Sequence, residues 1–475
     1  MAPSSTLRST FRCTECGWRA TKWVGRCGEC QSWGTVSEAG ATGRGPRAGA
    51  VTAAAQPMTD VDLRRSAASP TGIAELDRVL GGGVVPGAVI LLAGEPGVGK
   101  STLLLQVVAS VAAGGTRALY VTGEESIEQV RARAERVGSV SPEVFLAAES
   151  EVSAVVSHVE QVAPSLMVVD SIQTMTSAGV DGVVSGVSQV REATSALIRL
   201  AKERDMACIV VGHVTKDGGI AGPRTLEHLV DVVLSFEGDR HARLRMVRAV
   251  KNRYGPTDEV GCFELGDVGL TGLADPSGLF VSDRTEPVPG TCVTVALEGR
   301  RPLLAEIQAL VVPAAGSVPR RTTSGMESAR IAMVLAVLER REAVPLSRLD
   351  TYIAPVGGAR LVEPACDAAV ALAVHGSVRD MSVPMGWVAL GEVGLAGDVR
   401  RVPGTRQRVL EAARLGMTDV ILPRADVGTL RDVGVRLHPV DDLSEAVRLM
   451  PWSRPDLARQ SAGSGPRALA AVPEL

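Results

Sequence analysis

Three stretches of this chain hold residues whose types and spacing can do chemistry. The first is Cys13-x2-Cys16-x10-Cys27-x2-Cys30. Each Cys-x2-Cys knuckle offers two thiolates from one tight turn, and two knuckles close a tetrahedron around zinc. Gly17 and Gly28 ease those turns. Four sulfurs leave no open coordination position, so the centre would be structural, and metal binding would supply the folding energy of so small a module. A pair of redox dithiols is the alternative. The second stretch is "GEPGVGKS", which fits G-x4-G-K-[ST]. Its glycines let backbone N–H groups curl around a phosphate, and the helix that follows adds its positive end. The third is "KNRYG", where Lys251 and Arg253 stand two apart beside a Gly-Pro turn. Such a pair is either a solvated hairpin end or two fixed cations for an oligoanion.

The phosphate loop assigns roles by position. Gly94, Glu95, Pro96, Gly97, Val98, Gly99, Lys100, Ser101 and Thr102 form the ATP-binding stretch. Lys100 should reach the β- and γ-phosphates, Ser101 should ligate Mg²⁺, and Thr102 should sit toward the α-phosphate. "LMVVD" then ends an apolar run on Asp170, the expected second residue of the Mg²⁺ site. "TGEES" ends the next strand on Glu124 and Glu125. Adjacent side chains point apart, so one of the two faces the attacking water, and Glu124 is the favoured base.

These residues need a frame. Apolar runs at 88–94, 117–123, 166–171 and 207–213 alternate with amphipathic stretches, the pattern of a parallel sheet with helices on both faces. Before them, residues 37–69 are rich in Ala, Gly and Pro and read as a linker. The expected layout is a four-cysteine finger at 1–36, that linker, an ATPase domain at 70–284, a second mixed α/β domain at 285–455, and a disordered tail at 456–475. Within the second domain, helices are expected at 326–342 and 404–415. Hydrophobic residues make up 45% of the chain but aromatics only 3%, so Val, Leu, Ala and Ile must fill the cores. A net charge of −3 excludes coating nucleic acid by bulk charge while leaving local basic loops possible. The chain shows no apolar run long enough for a membrane span and no apolar signal core in "MAPSSTLRST". A cytoplasmic chain with reduced cysteines is therefore expected. Cys208, Cys262, Cys292 and Cys366 stand alone in apolar surroundings and read as small core residues.

"TGIAELDRVLGGGVVPGAVILLAGEPGVGKST", "TGEES", "LMVVDSIQT" and "KNRYG", behind a four-cysteine finger, resemble the bacterial RadA (Sms) family over nearly the whole chain. That resemblance implies a RecA-like ATPase using ATP, Mg²⁺ and a structural Zn²⁺, in DNA repair and homologous recombination. It implies a hexameric homo-oligomeric ring on single-stranded and branched DNA, driving branch migration beside a RecA-type recombinase. In such rings ATP lies between subunits, so Lys251 and Arg253, on one face of an extended strand, would reach a neighbour's γ-phosphate. Asn252 would face the other way, with Tyr254 and Gly255 shaping the turn. DNA would lie on loops 171–186 and 213–224, which are rich in Gly, Ser and Thr. Lys216 and Arg224 could meet phosphates there, and His213 could sense the γ-phosphate or simply be a hydrogen-bonded strand-end histidine.

"LVEPACDAAVALAV" and "ALGEVGLAGDVRRVPGTRQRVLEAARLG" resemble the Lon proteolytic domain, a ribosomal protein S5 domain 2-like α/β fold. Lon uses a serine in Asp-Gly-Pro-Ser-Ala-Gly and a lysine base. Setting Pro364 on that proline puts Ala365 at the nucleophile, Gly391-Glu392 on Lon's Gly-Glu pair, and Arg408 at the lysine. Alanine has no nucleophilic atom and an arginine cannot act as base. Ser377 and Ser382 lie nearby without an activator. The domain reads as an assembly scaffold, with Arg300-Arg301, Arg320-Arg321 and Arg400-Arg401 as a basic surface for DNA. An ATP-dependent protease with an unconventional nucleophile and a KaiC-like signalling ATPase are the rival readings.

Overall fold

The structure, a computed structural model, describes residues 11–38, 55–60, 67–180, 183–213, 226–238 and 243–454. The chain forms two units, 1–63 and 64–475. The linker lies largely outside the described residues, as does the C-terminal tail.

The first unit holds a three-stranded antiparallel sheet. Strand β1 (Phe11–Cys13) lies between β2 (Arg19–Ala20) and β3 (Val36–Glu38). β3 pairs with β1 through Glu38, so the ribbon runs two residues past the expected edge.

The second unit is built on two sheets. The first has the order β12-β11-β10-β9-β4-β8-β7-β5-β6. Its strands are β4 (Val89–Gly94), β5 (Ala118–Thr122), β6 (Val144–Ala148), β7 (Leu166–Asp170), β8 (Ala207–His213), β9 (Val232–Glu237), β10 (Leu244–Asn252), β11 (Val260–Gly266) and β12 (Gly269–Gly272). β9, β4, β8, β7, β5 and β6 run parallel, and β10–β12 add an antiparallel meander. The parallel strands are apolar throughout because both faces are covered. Ile90 and Leu92 face α1 (Ala74–Leu80), α2 (Lys100–Ala113) and α3 (Ile127–Arg136). Val89 and Leu91 face α4 (Val152–Val162) and α5 (Val187–Glu203).

The second sheet has the order β15-β16-β14-β13-β17-β20-β21. It comprises β13 (Thr291–Glu298), β14 (Arg301–Pro313), β15 (Arg321–Thr323), β16 (Leu349–Pro355), β17 (Trp387–Ala389), β20 (Asp419–Pro423) and β21 (Arg436–Val440), with a separate ribbon of β18 (Glu392–Val393) and β19 (Val399–Arg400). Helices α6 (Ser328–Arg341), α7 (Asp367–Arg379) and α9 (Leu443–Leu449) pack on one face, and α8 (Thr405–Arg414) on the other. The two sheets meet through ion pairs, among them Arg248–Glu298 at 2.7 Å and Arg414–Asp275 at 2.8 Å. Among the described residues no helix is long and apolar enough to cross a membrane.

Candidate nucleotide and metal sites

The four finger cysteines converge. Cys13 and Cys30 Sγ lie 3.8 Å apart and Cys16 and Cys27 Sγ 3.5 Å apart, and all four sulfurs fall within 4.8 Å of one another. A zinc tetrahedron with bonds of about 2.3 Å has edges of roughly 3.8 Å, so the donor set fits Zn²⁺ and leaves no position for a substrate. The other four cysteines are buried and unpaired.

The strand ends of the first sheet place the second site. Gly97 and Gly99 take φ of +81° and +112°, the left-handed region that lets the loop between β4 and α2 close. At Gly97 a side chain would meet nothing within 4 Å, so the loop opens on free space. A cavity of about 360 Å³ there is lined by Pro96, Gly97, Gly99, Lys100, Ser101, Thr102, Thr122, Glu124, Glu125, Arg133, Asp170 and His213. Lys100 Nζ donates to Gly94 O and Glu95 O, each at 2.9 Å. Burial pushes its ammonium down to about 8, against the pull of Asp170 and Glu124. Gly94, Glu95 and Val98 form the loop's wall and floor rather than the cavity lining. Val98 is buried, and its carbonyl accepts from Arg245 Nε of β10 at 2.9 Å.

Two neighbours that sequence reasoning missed hold the acidic groups. Tyr120 Oη donates to Asp170 Oδ2 at 2.6 Å, and burial together with that carboxylate pushes the phenol well up. Ser171 Oγ donates to Glu124 Oε1 at 2.7 Å. Glu125 turns instead to an ion pair with Arg133 of α3. His213 Nε2 lies 3.6 Å from Glu124 Oε1, and its buried Nδ1 has no hydrogen-bond partner among the described residues. The only sequence signal for Tyr120 was an aromatic in a buried strand of an aromatic-poor chain. Nothing marked Arg133 or Arg245, and Ser171 was marked only as the first residue of a loop expected to carry DNA. The cavity thus brings together Lys100, Ser101, Thr102, Glu124 and Asp170, a donor set suited to a nucleotide triphosphate with a hard cation at Ser101 and Asp170.

Lys251 and Arg253 do not line this cavity. Lys251 is the penultimate residue of β10 and Arg253 follows its end, and the pairing with β9 shifts register between Ala249 and Lys251. Lys251 Nζ donates to Glu227 O and Val230 O, each at 2.7 Å, and Arg253 Nη1 pairs with Asp231 Oδ1 at 2.9 Å. Burial and the adjacent Arg253 push the Lys251 ammonium down. Asn252 points elsewhere and donates toward Val79 O and Leu80 O at the end of α1, at 3.3 and 3.4 Å.

The loop expectations divide. Residues 214–224, with Lys216 and Arg224, lie outside the described residues. The loop from 171 is not free along its whole length: Ser171, Ile172 and Met175 are fully buried, whereas Val183 and Val184 are exposed. The paired arginines do not form the basic surface expected of them. Arg301 is buried in an ion pair with Glu75. Arg300 pairs with Asp258, Arg400 with Asp398 and Arg401 with Asp426. These partners come from chain-distant or turn positions that a pair of letters cannot reveal. Arg320 and Arg321 alone of the three pairs are exposed with no side-chain ion pair among the described residues, although the Arg320 backbone N–H donates to Asp350 Oδ1 at 2.7 Å.

In the second sheet's half, Gly391 N donates to Ala365 O at 3.0 Å, which brings the two Lon-like segments together. Arg408 is fully buried and donates to both oxygens of Glu363, two residues before Ala365. Among the described residues no serine or lysine side chain takes this spot, and burial pushes the neighbouring Cys366 thiol well above its ordinary range.

Comparison with known proteins matches residues 11–38 to the rubredoxin metal binding domain, 55–219 to the AAA domain, and 316–448 to the Lon protease C-terminal proteolytic domain. The chain is 52% identical over 457 residues to the DNA repair protein RadA of Mycolicibacterium smegmatis, covering 94% of this chain and 97% of that protein. It is 53% identical over 430 residues to the protein of that name from Mycobacterium tuberculosis strain H37Rv, covering 89% of each. It is 45% identical over 421 residues to that of Streptococcus pyogenes serotype M1, covering 88% of this chain and 93% of the relative. At this identity over nearly its full length, the chain belongs to the DNA repair protein RadA family.

Proposed function

We propose that this chain is a DNA-stimulated ATP hydrolase of recombinational DNA repair, which drives branch migration as a hexameric ring on single-stranded and branched DNA. A RecA-type recombinase would supply its substrates. The observation that carries the reading is the division of the catalytic set. Lys100, Ser101, Asp170 and Glu124 share one cavity, while Lys251 and Arg253 lie outside it.

In this reading Lys100 leaves its loop carbonyls to donate to the β- and γ-phosphates, and the first N–H groups of α2 hold the rest of the chain of phosphates. Ser101 and Asp170, the latter steadied by Tyr120, would hold Mg²⁺, which neutralises phosphate charge when bound. Glu124 orients a water and takes its proton. Ser171 holds that carboxylate, and the ion pair with Arg133 withdraws Glu125 from the task. Lys251 and Arg253 of a neighbouring subunit complete the site by meeting charge that develops on the γ-phosphate. His213 joins Glu124 to the start of the 213–224 segment, a route by which DNA contact there would reach the water. The Zn²⁺ finger is structural, and the Lon-like half is an assembly scaffold without peptidase chemistry.

The test is the ATP turnover of the full chain with and without single-stranded DNA. Turnover should rise several-fold with DNA. A rate indifferent to DNA would overturn the motor reading in favour of a signalling ATPase.

A further inference from the structure

Helix α1 is only seven residues long, too short to be stable alone. Its apolar face, Leu76, Val79 and Leu80, packs into the core of the first sheet. Both of its ends are fixed further by polar contacts.

At the first end stands Arg301, the opening residue of β14 in the Lon-like half. Its side chain leaves its own sheet and enters the ATPase half, where it is 7% exposed. Nη2 donates to Leu273 O and Ala274 O, each at 2.7 Å, and Nη1 to Val260 O at 3.2 Å. Nη1 also pairs with Glu75, which is 3% exposed. The same Glu75 oxygen accepts from Cys262 N of β11 at 2.9 Å. The approach of α1 to β11 is close: a side chain on Gly261 would come within 2.4 Å of Glu75 O.

At the other end stands Asn252. Its amide holds the last carbonyls of α1, and its Oδ1 accepts from Tyr254 N at 2.9 Å. A side chain on Gly81 would lie 3.2 Å from Gly255 Cα, so the turn after α1 rests directly on the "KNRYG" turn. Asn252 lies between Lys251 and Arg253, so whatever fixes its backbone fixes the origin of both cations.

A buried ion pair is weak evidence for stability and is better attested as a device for register. We propose that Arg301 is a positioning residue for ATP hydrolysis: from the Lon-like half it sets α1, and through α1 and Asn252 it aims Lys251 and Arg253. The inference rests on the reading of those two cations as acting on a neighbouring subunit's nucleotide.

The test uses full-length Arg301→Met, shown by light scattering to assemble at wild-type size. Its kcat for ATP should fall tenfold or more, with KM changed less than twofold. Adding Arg301→Met to Arg253→Ala should lower kcat little further, because the two residues act as one unit. Arg301→Met subunits keep an intact phosphate loop, so mixing them with Lys100→Ala subunits should restore turnover. The control mixture is Arg253→Ala with Lys100→Ala. If the control is restored and the Arg301→Met mixture is not, or if Arg301→Met turns over like wild type, the positioning role is wrong. If the control itself stays inactive with exchange verified, the trans reading falls and takes this inference with it. Should Arg301→Met not assemble, Glu75→Gln is the second variant, since it keeps an acceptor for Cys262 N. It should lower kcat about threefold or more at unchanged KM, and an unchanged kcat would overturn the proposal.

Discussion

Arg408 and Glu363 form a two-pronged ion pair inside the C-terminal half, Nη1 to Oε1 at 2.5 Å and Nη2 to Oε2 at 2.6 Å. Arg408 also donates to Pro403 O and Val295 O, and Glu363 accepts from Leu297 N at 2.7 Å. The pair lies beside Ala365, with Glu363 two residues before it and Arg408 fully buried. Arg408→Met should therefore remove four hydrogen bonds made by a buried guanidinium and leave a carboxylate that is 24% exposed without its cation, destabilising the fold by about 1.5–3 kcal/mol, read as a lowered denaturant midpoint. A change within 1 kcal/mol (about the worth of a surface pair) would show that the pair is dispensable.

The same corner predicts no peptidase activity. The full chain with ATP should leave casein intact, and a serine-directed phosphonate probe should label no serine in residues 285–454. Labelling at Ser377 or Ser382 would return the protease reading to consideration.

Glu124 and Glu125 separate cleanly in their partners, Ser171 for the first and Arg133 for the second. Glu124→Gln should lower kcat by roughly 10²–10⁴ while still binding ATP, the usual worth of a general base. Glu125→Gln should lose an ion pair and stay within several-fold of wild type. The reverse ranking in steady-state turnover would move the base to Glu125.

One zinc per chain should accompany the wild-type protein, and none a Cys27→Ser, Cys30→Ser chain. Stripping the metal should unfold the ribbon, because binding energy of about 10–16 kcal/mol is its folding energy. A zinc-free chain with a folded ribbon, seen by dispersed amide signals for residues 11–38, would refute the assignment.

Lys100→Ala and Arg253→Ala should each be nearly inactive, for opposite reasons. A trans arginine is worth roughly 10³–10⁵ in turnover in other phosphoryl-transfer systems. Mixed assemblies pair an intact loop with an intact neighbour at some interfaces, so combining the two inactive proteins should restore hydrolysis. Arg253→Ala hydrolysing like wild type with DNA present would return "KNRYG" to a hairpin end or a DNA contact.

What is local along the chain could be read from the order of its residues. The four thiolates, the phosphate loop and the acidic ends of β5 and β7 were legible because each motif needs only a few consecutive residues on one strand or turn. The alternation of apolar runs with amphipathic helices likewise places the strand ends on one side of a parallel sheet, where Lys100, Glu124 and Asp170 meet. Which side chains pair across that sheet follows from the strand order. Tyr120 finds Asp170, Ser171 finds Glu124 and Arg245 finds Val98 only because the strand order makes them neighbours. The register shift before Lys251 has no letter of its own. Arg301 shows the limit most sharply. Beside Arg300 it reads as a surface charge, yet a guanidinium can be buried wherever a carboxylate and several carbonyls converge on it. That convergence of Glu75, Val260, Leu273 and Ala274 exists only once two sheets have packed together.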